Sequence, residues 1–267
     1  MGMNWSSAHK KKYHNELRPI DHMIAYSDAF CAVTGWNMQR IGRLRYLESG
    51  IEHSLFNWVY GAPSTLTSQQ MKDFINLLGK APASWLCTTE ESPHMQPFLD
   101  ALPIAHMHQV KGVTFDLSDL VLPDLKDVSD LKIRAVANHN EMRTFDRLSA
   151  PTFVHEEGMV MNFMRGLPAK KPNVHKLECY LIEYKGRPVG FFQTYVYEDV
   201  LGVYWGGILP EARNRGIGSA ALAKTLETTR DQGYKALVAH LLPSSWSLVE
   251  RFMPQKEELL DFYVLMP

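Results

Sequence analysis

At 267 residues, with 45% apolar and 21% charged positions, the chain can bury a real core in one large domain or two of ordinary size. A formal net charge of −1 leaves no nucleic-acid footprint, and no apolar run reaches transmembrane length or the form of a signal-peptide core. Three widely spaced cysteines, Cys31, Cys87 and Cys179, make neither a disulfide framework nor a metal-ligand spacing, and suit a reducing, cytoplasmic setting.

Met1-Gly2-Met3-Asn4-Trp5-Ser6 fits a short lipidation pattern and Lys10-Lys11-Lys12 follow, but such a pattern arises easily by chance and the segment reads as a frayed basic start. Residues 20–35 have helical spacing, with Gly35 as the stop. Residues 38–47 read as a short helix or loop, and 52–60 as a strand ending at Gly61-Ala62-Pro63-Ser64. A helix is predicted over 68–78, with Thr67 or Ser68 as N-cap and Gly79 as C-cap. A strand at 83–88, a helix at 93–102 and a strand at 110–117 follow, then a polar linker over 120–130. His106 and His108 would share one strand face, but loop or surface histidines are the commoner case and no metal site is expected.

Residues 131–136 open the second half as a strand. Helices are predicted over 140–149 and 153–166, then a basic loop at Lys170-Lys171-Pro172. Strands at 178–184 and 187–197 form a hairpin around Lys185-Gly186. A further strand ends in Gly206-Gly207-Ile208-Leu209, where paired glycines indicate a bulge or a close backbone approach. The helix at 218–232, capped by Gly233, the strand at 235–242, a short helix at 246–252 and a last strand at 259–265 complete the chain.

Arg213, Arg215, Gly216 and Gly218 fall where strand passes into helix. Glycines there let backbone N–H groups point at a ligand, the helix start adds free donors and a positive dipole end, and the arginines add fixed charge. Together these make a phosphate cradle. No Walker-type loop is present. Gly216-Ile217-Gly218-Ser219-Ala220-Ala221 formally fits a dinucleotide fingerprint, but Pro210 to Arg215 separate it from its strand and no acidic ribose ligand follows at the required distance.

Arg213-Asn214-Arg215-Gly216-Ile217-Gly218, after a strand and Pro210-Glu211, resembles the acetyl-CoA pyrophosphate loop of the GNAT (Gcn5-related N-acetyltransferase) superfamily. The order of elements over 131–267 is also similar to that family. Phe56-Asn57, Pro82-x-Ser84-Trp85 and the stretch 112–117 look like the degenerate first half of tandem members. The resemblance implies an α/β (α+β) fold: a mixed central sheet flanked by helices, in two similar halves at 13–122 and 131–267, the second binding acetyl-CoA. It implies that the backbone of Arg213, Asn214, Arg215, Gly216, Ile217, Gly218 and Ser219 holds the pyrophosphate. The pantetheine arm would run beside Gly207, Ile208 and Leu209, with an N–H near Ile208 polarising the thioester carbonyl. An amine acceptor, a small molecule, amino acid or peptide, would attack directly; no nucleic-acid or membrane partner is implied.

The chain departs from the family at the proton donor. Members often place Leu-Tyr-x-x-x-Gly-Phe after the last buried strand, the Tyr protonating the leaving thiolate; here Leu248-Val249-Glu250-Arg251-Phe252-Met253-Pro254 stands there, and Val249 carries no proton to give. Tyr204, His240, Ser244 and Ser245 lie on elements that could reach the site, and no spacing selects one of them; each also has a structural reading, Tyr204 as sheet packing, His240 as a satisfied strand-end residue, and Ser244 or Ser245 as a helix cap. The alternative is an acetyl-CoA-binding or interaction protein without catalysis.

Overall fold

The computed structural model describes residues 17–61, 63–78, 81–125, 128–167 and 177–266. The expectations at Met1 to Lys12, at Gly79 and at Lys170-Lys171-Pro172 lie outside these residues. In chain order the elements are α1 (Pro19–Thr34), β1 (Met38–Ile41), β2 (Leu44–Leu47), β3 (Trp58–Tyr60), α2 (Ser68–Leu78), β4 (Ala83–Thr88), α3 (Gln96–Ala101) and β5 (Ile104–Asp116). Then come β6 (Leu131–Ala135), α4 (His139–Phe153), α5 (Met159–Phe163), β7 (Leu177–Tyr184), β8 (Arg187–Tyr197), β9 (Val200–Ile208), α6 (Ile217–Asp231), β10 (Ala236–Leu241), α7 (Trp246–Glu250) and β11 (Lys256–Leu265).

Helix ends follow local chemistry. Gly35 takes φ 79° and closes α1, its N–H on the Cys31 carbonyl. Thr67 and Gln70 form a reciprocal capping box before α2, each side chain accepting from the other's backbone N–H at 3.3 and 3.0 Å. Asn138 caps α4 through the Glu141 N–H.

One 11-stranded mixed sheet runs through the molecule in the order β1-β2-β3-β4-β11-β5-β10-β9-β8-β7-β6. Two pairs are parallel, β3 with β4 across α2 and β9 with β10 across α6; the other contacts are antiparallel. Beside β4 lies β11, and beside β10 lies β5. The last strand of each stretch therefore pairs with the parallel strand of the other. The 120–130 connection joins β5 in the middle of the sheet to β6 at its edge.

Both faces are covered, so successive positions on the central strands are all buried, pointing in turn into one layer and the other. Leu181, Phe191, Tyr195 and Tyr204 pack with Tyr26 and Phe30 of α1 and Phe145 of α4. Leu201, Leu237 and Ala239 pack on the other face with Leu226 of α6 and Val249 of α7. Among the described residues no helix is long and apolar enough to cross a membrane. The three cysteines are free and buried.

Three expectations are corrected. Residues 38–47 form a hairpin, not a helix or loop, because Gly42 takes φ 58° and turns β1 back on β2. The strand expected over 52–60 starts only at Trp58, after a 3-10 turn at Ser54–Phe56. The helix expected over 153–166 shrinks to Met159–Phe163 because α4 runs on to Phe153 and then breaks at Val154, φ 56°. Buried Asp146 holds the 154–158 connection, accepting from the N–H groups of Gly158 (2.6 Å) and Val160 (3.0 Å).

Candidate functional site

The parallel pair β9/β10 parts at a defined place. Its register stops at Val203 opposite Ala239, while β10 continues against β5 to Leu241 opposite Lys111. From Tyr204 onward the β9 edge that faced β10 is open. A bulge in β9 coincides with the parting: Phe191 opposes Gly207 and Gln193 opposes Tyr204, so Trp205 and Gly206 together face Phe192. Trp205 takes φ 50°, which re-aims the strand beyond it. The bulge read from Gly206-Gly207 is thus present, one residue earlier. Leu209 N–H donates to the Val189 carbonyl at 2.9 Å. Ladder alternation then turns the backbone of Ile208 away from β8, toward the opening.

The opening leads to the Arg213–Ser219 loop. Pro210–Ala212 make a 3-10 turn, Asn214 takes φ 61° and Gly216 φ 81°. Gly216 is the N-cap of α6 and contributes no side-chain bond, so the first-turn N–H groups of α6 keep no side-chain acceptor. Arg213, Asn214 and Arg215 are exposed, whereas Ile217 is buried and pins the helix start to the sheet. Arg213 Nε donates to the Ile208 carbonyl at 2.9 Å, fixing the loop to the open end of β9. A Cβ on Gly218 would meet only Leu248 Cδ1 (3.8 Å) and Ile208 Cγ1 (3.9 Å), so the glycine leaves a slot between strand, helix start and α7.

The proton-donor candidates separate. Val249 is fully buried among Leu226, Leu237 and Phe252, so it faces the core; its neighbour Leu248 is the α7 residue beside Gly218. Ser244 is exposed and Ser245 half-buried in a 3-10 turn at Pro243–Ser245. Tyr204 is buried at the parting of the strands, stacked on Tyr26 with centroids 4.0 Å apart, and its hydroxyl lies 2.6 Å from His22 Nδ1.

His22 was not selected by sequence reading, since nothing in the spacing of α1 shows what lies 182 positions away. Its Nε2 faces the Val200 carbonyl at 3.3 Å, so Nε2 carries the proton and Nδ1 accepts from Tyr204. Burial lowers its pKa to about 4. His240 also stacks on Tyr204, with centroids 5.7 Å apart, its Nε2 on the Pro19 carbonyl at 3.1 Å. Its Nδ1 is buried without a partner, so the expectation of a fully satisfied strand-end histidine is corrected. Burial, with His22 nearby, lowers its pKa to about 3.

A groove lies beside the bulge, between the C-terminal end of α4 and the segment before β3. Glu52 and His53 form one side; Ala150, Val154, His155, Glu156 and Glu157 are among the residues of the other. Its aromatic floor connects to the bulge: Phe56 touches both His53 and His155 with centroids 5.5 Å apart, and stacks on Trp205 at 5.8 Å. Thr152 packs over Gly207 so closely that a Cβ there would meet its methyl at 2.5 Å. No motif marked this groove, because its two sides come from stretches about a hundred positions apart.

Residues 142–252 match the model of the acetyltransferase (GNAT) family. That span holds the bulge, the opening, the loop and most of the groove wall. A GCN5-related N-acetyltransferase from Kribbella flavida superposes with a TM-score of 0.65 at 13% identity, over 93% of this chain and 96% of its own. A Drosophila protein gives 0.60 at 12% identity, over 99% of this chain and 98% of its own. A GCN5-related N-acetyltransferase from Sphaerobacter thermophilus gives 0.58 at 13% identity, over 83% and 75%. At these identities the likeness is one of fold. No curated protein matches the chain in sequence.

Proposed function

We propose that this chain, which carries a domain of the GNAT acetyltransferase family over residues 142–252, binds acetyl-CoA in the β9/β10 opening and transfers the acetyl group directly to an amine. The observation that carries the reading is the continuity of the open β9 edge with a glycine–arginine helix start. The backbone N–H groups of Arg213 to Ser219 would take the pyrophosphate, and the edge at Gly207, Ile208 and Leu209 would take the pantetheine amides. Acetyl-CoA supplies the activated thioester. An N–H of the open edge near Ile208 is suited to the carbonyl oxygen as negative charge develops there. The amine nitrogen forms the new C–N bond, the C–S bond breaks, and the amine's proton leaves to solvent or to the departing sulfur.

The two stretches at 13–122 and 131–267 are read as two units of similar plan that have exchanged their last strands. Only the second has a phosphate loop. Free cysteines accord with a reducing, cytoplasmic setting. Titration with CoA by calorimetry tests the binding, and acetyl-CoA consumption with an amine panel tests the transfer. Absence of CoA binding overturns the reading.

A second reading has its own observation. Val249 lies in the core and Tyr204 has its hydroxyl engaged, so a binding protein without turnover fits the same site. CoA binding with no consumption across the panel would select it.

A further inference from the structure

We infer that the groove beside the bulge receives the acetyl acceptor, and that the acceptor is an aliphatic diamine, an alkyl chain with an ammonium group at each end. The inference rests on the proposed function and adds the substrate class. Position comes first. The end of α4 faces two ways: Thr152 and Phe153 pack on Gly207 and Trp205 at the bulge, while Ala150 and Pro151 line the groove. An amine lying in the groove therefore sits alongside the open end of β9.

Charge comes second. Glu52, Glu156 and Glu157 contribute to the groove, and among the described residues none has an ion-pair partner. No lysine or arginine lines it. The C-terminal end of 15-residue α4 adds the negative end of its dipole beside Val154. The imidazole of His53 accepts from the Leu55 N–H at Nδ1 and so donates from Nε2 to the Val154 carbonyl, which fixes the two walls to each other and offers no cation. His155, the other histidine of the lining, has both ring nitrogens engaged, Nδ1 with the Glu156 carbonyl at 2.8 Å and Nε2 with Ser149 Oγ at 3.0 Å, so the free charged groups facing a ligand are the three carboxylates, which complement a cation.

Chain chemistry comes third. The same lining is apolar at Ala150, Val154 and Met159, and Val154 is 83% exposed. An alkyl chain covers those residues while one ammonium group stays on the carboxylates. The other end, as free amine, attacks the thioester carbon. The C–N bond forms, the C–S bond breaks, and CoA leaves as the thiol with the proton the amine sheds.

The test first titrates CoA, then 1,5-diaminopentane, pentylamine and 5-aminopentanoate into the CoA-loaded protein by calorimetry. Three exposed carboxylates, each worth a little under twofold as surface ion pairs are, give the diamine a lead of about fivefold over pentylamine. The zwitterionic 5-aminopentanoate binds more weakly than either, and added salt narrows the gap. In the double variant Glu156→Gln with Glu157→Gln the lead falls to about twofold or less. Equal binding of diamine and pentylamine, or tighter binding of a lysine peptide than of the diamine, overturns the inference while CoA binding leaves the proposed function standing. Failure of CoA to bind overturns the proposed function, and the acceptor role of the diamine with it.

Discussion

The imidazole of His22 occupies the space where residue 202 would carry a side chain: a Cβ built on Gly202 would come 2.4 Å from His22 Cε1. His22 stands on α1 and Gly202 on β9, so a missing side chain in the second stretch admits a buried polar ring from the first. Gly202→Ala is therefore expected to cost about 1–3 kcal/mol by overpacking. His22→Ala should recover part of that loss in the double variant, because it removes one of the two rings struck, the other being Tyr204, whose Cε2 lies 2.6 Å from the built Cβ. Urea midpoints of the wild type, both single variants and the double variant give the cycle. Full additivity would show that the two residues do not share the space.

The same ring sets an acid limit on stability. His22 and His240 are both neutral in the fold, with pKa values lowered to about 4 and about 3 by burial. In the unfolded chain each returns to about 6.5. Protonation thus favours the unfolded state: stability holds above about pH 6.5 and falls as pH drops from there toward 4. Two protons give a slope of up to about 2.7 kcal/mol per pH unit between these limits. Replacing His240 with Gln should lower the slope by about half. Urea unfolding from pH 7.5 to 5 measures it; a flat profile would refute the burial of the neutral rings.

Gly216 and Gly218 respond differently to substitution. Gly216 needs φ 81°, so any side chain there strains the loop itself. Gly218 is unstrained and a methyl would meet its neighbours at 3.8 Å or more. Gly218→Ala is expected to fold normally and keep CoA binding. Gly218→Val, which fills the slot beside Leu248 and Ile208, is expected to weaken CoA at least about tenfold by closing the backbone approach to the phosphates. Circular dichroism separates folding from calorimetric affinity. Unchanged affinity in the valine variant would remove Gly218 from the proposed site.

Most regular elements of 131–267 were legible because local chemistry decides them; the helix at 153–166 was not, because α4 runs on through Pro151 to Phe153. Lys185-Gly186 dictates a two-residue turn, and Gly206-Gly207 betrays the bulge. The turn before α6 and the helix start were legible because Pro210 and Gly216 punctuate them. What stayed hidden depends on pairing between distant segments. Nothing local says that β5 lies between β10 and β11, or that His22 lies under Tyr204. The hairpin at 38–47 was missed because only Gly42 marks it and both strands are four residues long. The groove was missed because Glu52 and Glu156 meet only in the folded chain.

The resemblance implies that the family's tyrosine position falls at Val249, and the geometry argues against restoring a tyrosine there. Val249 is fully buried against Leu226 and Phe252, so Val249→Tyr would force a large polar ring into a filled core. A loss of about 1–3 kcal/mol is expected, with no gain in turnover. Leu248, one position earlier, is the residue beside Gly218 and Ile208. A thiol of pKa near 8.5 leaves with modest help, so a site without a general acid turns over slowly rather than not at all. Under the proposed function Leu248→Tyr should raise kcat, by at most about 10²-fold, the low end of what a positioned acid contributes. Leu248→Phe has the same bulk without the hydroxyl and is the control: a rise in the tyrosine variant alone assigns the effect to the proton. Equal rates in the two variants would mean that proton delivery does not limit this site. Equal loss of CoA affinity in both would mean that the slot beside Gly218 is needed for the cosubstrate itself.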